Sequence, residues 1–307
     1  MEIRYWEPVE LAYARTRRML FAPFNFGKWA AMGFSGWLAH ITEMQTGTYF
    51  QFGFPRGEVS GDTAYHEYFH DFIPDHHFWV SVAAVLFLLS VLIAAVILML
   101  WLCARFRFIF LDHVSGDRTD IARPWRRYAH QGNSLFLWWI GFGLAAGAVA
   151  SAVVSLIAFA IIRFDNVLSW QAVLILAALS GLLFLAFLLA LFLLMLINDF
   201  IVPIMYKHEI RTHAAWRLFY ANFRNHAGSI ILYTLVRIGL NIAIGMAIFL
   251  AVIMTCCCAG IILAIPYIGA VCLLPVHVFM RAFSLYFLRQ WGDEFDAIAV
   301  SPPLPVQ

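Results

Sequence analysis

Apolar residues along this chain fall in long unbroken blocks, without the rhythm of a surface helix or the alternation of a half-buried strand. Five blocks, Phe78 to Cys103, Leu135 to Ile162, Trp170 to Ile197, Ser229 to Met254 and Ile261 to Leu288, exceed the roughly 20 helical residues needed to cross about 30 Å of hydrocarbon. A sixth, Phe24 to Ile41, is interrupted by Asn25, Lys28 and several glycines. Lys28 lies near its start, where its ammonium can snorkel to the headgroups; a re-entrant or interfacial helix is the alternative. The expected fold is all-α and polytopic, with six transmembrane helices in a single membrane domain over residues 1–307.

The polar segments between the blocks set the direction of threading, because Lys and Arg gather on the cytoplasmic side of a membrane. With six spans, one side receives the N-terminus, the loops Ala104 to Ser134 and Asn198 to Gly228, and the C-terminal tail 291–307; counting Lys28, Arg281 and Arg289 near the helix ends, it holds 17 of the 20 basic residues. The other side has Arg56 and Arg163, and Arg237 falls inside a block. The long outer loop 42–77 is acidic instead, with Glu43, Glu58, Asp62, Glu67, Asp71 and Asp75. Both termini are therefore expected in the cytoplasm.

The layout also repeats. PVELAYARTRRML, DRTDIARPWRRYAHQ and EIRTHAAWRLFYANFRNH each lead into spans; RFRFIFLDHV and NDFIVPIMY close the second and fourth spans, and Trp125-Arg126 answers Trp216-Arg217. This predicts three parallel units of about residues 1–110, 111–207 and 208–290, each an amphipathic helix plus a helical hairpin, related by an axis along the membrane normal. Arg17, Arg18, Arg126, Arg127 and Arg217 lie on these stretches and are candidates for anionic lipid headgroups. Trp125, Tyr128, Trp216, Phe219 and Tyr220 supply the aromatic bulk that would dip toward the acyl chains. Ordinary loop helices that fix topology carry the same residues.

Composition sharpens this picture. The chain is 63% hydrophobic and 12% charged, against about 25% charged in a soluble domain, so most of its outer surface must face something other than water. A net charge of +2 speaks against a nucleic-acid partner. The N-terminal segment MEIRYWEPVELAYARTRRML lacks the compact apolar stretch and cleavage site of a signal peptide. Cys103, Cys256, Cys257, Cys258 and Cys272 sit in or beside apolar blocks; neighbouring cysteines on one helix point apart, so they are expected as small packing residues.

Candidate chemistry is sparse. Arg237 is the one charge well inside a block, with Asn241 one turn further on the same face. The last block returns toward the cytoplasm and brings His277 to similar depth. Arg237, Asn241, His277 and Asp199 could form an intramembrane polar cluster able to receive a phosphate or carboxylate; the alternative is that Arg237 snorkels to the headgroups. Gly143, Gly147, Ser151 and Ser155, four residues apart, make a face for close helix contact. In the outer loop, His66, Glu67 and His70 spell HExxH, in which two histidines on one helix face hold zinc and the glutamate activates water. Asp71 follows the second histidine, where such sites carry an uncharged residue, and no surrounding domain builds a cleft. No cofactor is expected beyond that zinc.

The phrases RTRRMLFAPFNFGKWAAMGFSGWLA, FIFLDHVSGDRTDIARPWRRYAHQGNSLFLW and NDFIVPIMY resemble an uncharacterised family of bacterial polytopic inner-membrane proteins. The layout is also loosely similar to the membrane domain associated with glycerophosphodiester phosphodiesterases. The resemblance implies the bacterial inner membrane and transfers no functional residues. Three functions follow in order of expectation. The first is a non-enzymatic membrane module that interacts with lipid or acts as a scaffold, as a homo-oligomer. The second is a transporter or channel for a small anionic solute or lipid, with Arg237 and His277 in the path. The third is a zinc-dependent hydrolase using His66, Glu67 and His70.

Overall fold

The computed structural model describes residues 6–44, 76–163, 170–255 and 258–298, and all regular structure among them is helical. Helices α1 (Trp6–Phe21) and α2 (Phe26–Met44) precede a long α3 (His76–Gly116), a single short turn of helix α4 (Ala122–Arg127) and α5 (Ala129–Arg163). Then α6 (Trp170–Leu196) passes through a π-turn (Ile197–Ile201) into α7 (Val202–His208), and α8 (Thr212–Met254) follows. Three short helices, α9 (Cys258–Ala264), α10 (Pro266–Cys272) and α11 (Leu274–Arg289), complete the series before a 3-10 turn at Asp293–Phe295.

Four stretches are long and apolar enough to cross a membrane: Trp79–Gly116, Ala129–Ile161, Trp170–His208 and Ala227–Met254. They coincide with four of the six apolar blocks. With 41 and 43 residues, α3 and α8 measure roughly 60 Å at about 1.5 Å per residue, twice the hydrocarbon thickness. Each accordingly divides in two. On α3, Leu86 to Leu98 stand mostly exposed, whereas Cys103, Ala104 and Phe106 to Ser115 are buried. On α8, Ala215, Phe219, Ile230 and Tyr233 are buried and Ile238 to Met254 face mostly outward.

The buried halves converge in a base. Its core is aromatic: Phe108, Phe110, Phe200, Phe283, Phe287 and Tyr233 are almost fully enclosed. Helix α1 belongs to it by its pattern, since Ala12, Thr16, Met19 and Leu20 recur on one face and are buried while Arg17 and Arg18 point away. Glu7 in its first turn and Arg18 in its last complement the helix dipole.

The two remaining blocks behave differently from the four. Helix α2 covers the expected Phe24 to Ile41 span but is largely buried, with Met32, Ser35, Leu38, Ala39 and His40 enclosed. Gly36 admits the Phe110 ring, which would lie 3.2 Å from a Cβ there. The block Ile261 to Leu288 is broken into α9, α10 and α11. The breaks precede Pro266 and Pro275, which open the next helices; proline has no N–H to continue the preceding turn and suits a helix start. Gly269 closes this folded-back segment, for a Cβ there would strike the Leu263 backbone carbonyl. Gly269→Ala is therefore expected to cost about 1–3 kcal/mol, read as a lower unfolding temperature of the purified chain; an unchanged temperature would show that the turn has slack.

The three amphipathic stretches take three forms: the separate α1, the single turn α4, and the first part of the unbroken α8. Their aromatics also differ from the expected lipid-dipping role. Tyr128 and Phe219 are buried, Tyr128 against Tyr206 at 4.8 Å and Phe219 against Phe200 at 5.7 Å. Tyr220 alone of the five is fully on the outside. The tail 291–307 is not free at its start. Trp291 stacks on Phe200, and Phe295 and Ala297 are buried.

Candidate functional site

The polar residues of the base meet at the π-turn. A π-turn shifts backbone pairing by one residue, so the Val202 N–H bonds to the Ile197 carbonyl. Pro203, with no N–H, cannot serve the carbonyl four residues back (Asp199) or five back (Asn198). Both carbonyls are met instead from α11: an Arg281 guanidinium N–H donates to the Asn198 carbonyl, and the Ser284 hydroxyl donates to the Asp199 carbonyl at 2.6 Å. A buried carbonyl without a donor is costly, so the sequence that bends the helix also requires these side chains.

The side chains of the same two residues gather the rest. Asn198 Oδ1 accepts from Arg107 at 2.8 Å and from Arg281 at 3.1 Å. The Asp199 carboxylate forms an ion pair with Arg237 and accepts the Tyr233 hydroxyl at 2.7 Å. Arg107 also lies 4.4 Å from the Trp139 ring centre. Arg107, Arg281 and Asp199 are all buried. Three cations thus share one buried carboxylate, one amide and one aromatic face, an arrangement in which protein groups replace the water that charges otherwise demand.

A second polar group lies further along α3. Tyr206 donates to Asp112 Oδ1 at 2.8 Å, so the Ser115 hydroxyl, 2.9 Å away, donates to the Tyr206 oxygen. His113 Nε2 lies 3.2 Å from the Asp120 carbonyl and is its donor; Nδ1 lies 3.0 Å from the Ser35 hydroxyl, which also reaches the Met32 carbonyl at 3.0 Å. Ser35 and His113 are fully enclosed, so this serine–histidine pair fastens α2 to α3 and has no approach for a substrate. At the outer edge, Arg127 pairs with Glu209 at 2.6 Å, which holds its guanidinium pKa above the usual value, and burial pushes the Tyr128 phenol up.

Of the four residues expected in an intramembrane cluster, Asp199 and Arg237 come together as a pair. Arg237 is therefore turned toward the protein, where snorkelling would turn it outward. Asn241 is half-buried one turn on, and no hydrogen-bond partner is seen for it among the described residues. His277 is buried but meets His40, ring centres 4.5 Å apart, and sits one turn before Arg281. Arg17, Arg18, Arg126 and Arg217 are exposed, as headgroup contacts would need, and Arg127 is tied to Glu209. His66, Glu67 and His70 lie outside the described residues. Among the described residues no three histidine, cysteine or carboxylate side chains gather as a metal site. Reasoning from sequence missed Arg107 and Asn198, which stand at the edges of polar loops. Their signal was the pairing of RFRFIF with NDFIVP at the ends of two spans.

Residues 6–274 match a family of unknown function, DUF7544. No curated protein matches, and no solved structure matches; the looser likeness to the phosphodiesterase-associated membrane domain gains nothing from these comparisons.

Proposed function

The chain belongs to this family of unknown function, and we propose that it is a non-enzymatic integral membrane module that interacts with lipid and scaffolds lateral assembly. One observation carries the reading. Only 0–11% of the residues in the apolar stretch of each candidate span are buried, so the spans present their sides outward while the base is packed. The polar groups that would serve a solute path are instead engaged with one another: Arg237 with Asp199, Arg107 and Arg281 with Asn198. This favours a module whose working surface is its exterior.

The arginine distribution supports a base on the cytoplasmic face, and the bacterial inner membrane, with both termini cytoplasmic, is the location proposed. Six passes, with α2 and the broken α9–α11 as the two short ones, fit that distribution. Three parallel units find support in the contacts as well. Arg107 of the first unit bonds Asn198 of the second across an offset of 91 residues, and the same offset relates Trp125-Arg126 to Trp216-Arg217. Equivalent positions of repeats touch where they approach the repeat axis, and Arg281 of the third unit joins them there.

Assembly is proposed along α5. Gly143, Gly147, Ser151 and Ser155 are all exposed, and a Cβ on Gly143 or Gly147 would meet open space. Close helix approach in lipid uses small faces of this kind. In nanodiscs or mild detergent the chain is expected to cross-link as a homo-oligomer, and Gly147→Ile to shift it to monomer by about tenfold or more in dissociation constant without changing its unfolding temperature. A monomeric wild type, or an equally associated variant, would refute assembly through this face.

A further inference from the structure

One cation of the base is built into place without a counter-charge. Arg105 is the first charged residue after Trp79 on α3, roughly 39 Å along the helix at about 1.5 Å per residue. It therefore stands where an apolar span gives way to the packed base, at headgroup depth. Its guanidinium carbon lies 4.5 Å from the Trp101 ring centre and 4.8 Å from that of Trp125, and the two indoles meet edge to face. Asn133 Oδ1 accepts from Arg105 at 3.2 Å and from the Trp101 indole N–H at 3.0 Å. Gly132 lets α5 approach so closely that a Cβ would lie 3.3 Å from the Arg105 Cα.

Lys28 is paired with Asp117, Arg237 with Asp199, and Arg15 with the Val114 and Ser115 carbonyls, while Arg107 and Arg281, like Arg105, meet neutral oxygens. No carboxylate lies within ion-pairing distance of Arg105 among the described residues, and its Nε–H is buried with no acceptor. With its oxygen engaged twice, the exposed Asn133 must turn its amide N–H groups outward.

We infer that Arg105, with Trp101, Trp125 and Asn133, forms a binding site for the phosphodiester of an anionic phospholipid. The guanidinium and the Asn133 amide supply donors in one place, and guanidinium geometry suits phosphate oxygens. The paired indoles fix the cation and occupy the depth where tryptophan favours the interface. Arg123 and Arg126, exposed on the same short helix as Trp125, raise the local positive potential and favour an anionic lipid over a zwitterionic one. The inference rests on the membrane reading above and specifies one headgroup site within it.

The test is calorimetric titration of the full chain, in non-ionic detergent, with short-chain phosphatidylglycerol, phosphatidylcholine of equal chain length, and inorganic phosphate. The wild type is expected to bind phosphatidylglycerol about tenfold more tightly than phosphatidylcholine, with inorganic phosphate weaker still. Arg105→Gln should erase that preference. Asn133→Asp, which supplies Arg105 with its own carboxylate on an exposed position, should erase it too while keeping the fold. An undiminished preference in Asn133→Asp overturns the site, as does inorganic phosphate binding as tightly as the lipid. Co-flotation with phosphatidylcholine vesicles separates the two claims: both variants should float like wild type, and a wild type that does not float contradicts the membrane reading itself.

Discussion

Replacing Asp199 with alanine is expected to destabilise the protein by about 3–5 kcal/mol, the loss seen when one partner of a buried ion pair is removed. The side chain is 5% exposed and serves two donors, Arg237 and the Tyr233 hydroxyl. Without it, a guanidinium inside an apolar stretch and a buried phenol both lose this acceptor. Thermal unfolding in nanodiscs should fall by about 10 °C. Asp199→Asn keeps an acceptor for Tyr233 and should lie between. Asp199→Ala combined with Arg237→Met removes both charges and should recover much of the loss, because the penalty belongs to the orphaned charge. A double variant less stable than the single one would show that the pair is not the cause.

Arg281→Ala should cost about 2–4 kcal/mol for a related reason. Arg281 is buried and gives one N–H to the Asn198 carbonyl and another to Asn198 Oδ1. Its loss leaves a carbonyl that the π-turn and Pro203 deprive of a backbone donor. Lysine lacks the fork that reaches both oxygens, so Arg281→Lys should recover only part. Pro203→Ala, introduced into Arg281→Ala, restores an N–H and lets the turn return to α register, and should raise the unfolding temperature of that variant. If it lowers the temperature further, the link between the proline and Arg281 is wrong.

Four helices were legible in the sequence because a run such as Trp79 to Ala104 has no charge and no break, and lipid asks nothing else of a helix. The other two blocks depart from plain uninterrupted spans where local features compete with hydropathy. Lys28 and the glycines of α2 serve packing: Lys28 pairs with Asp117 at 2.6 Å, and Gly36 admits Phe110. In Ile261 to Leu288, prolines dictated breaks that average hydropathy hides. Arg237 and Asp199 could be brought together on paper because charges in apolar surroundings must find each other. His277 could not be placed, since its partner His40 lies in a helix whose packing no period revealed. The burial of Tyr128 and Phe219 was hidden for the same reason. An amphipathic stretch reads alike whether its aromatics meet lipid or a protein core.

Site-directed spin labels, in a chain whose five native cysteines are replaced, test most directly whether the four long helices lie in lipid with the base outside it. Reconstituted in vesicles, labels at Leu88, Val149, Leu185 and Ile242, all exposed on the apolar stretches, should relax with oxygen and resist a water-soluble nickel chelate. Labels at Arg17, Arg126 and Arg217 should do the reverse. Nickel access at Leu88 or Leu185 equal to that at Arg126 would contradict lipid-embedded helices joined to a packed base.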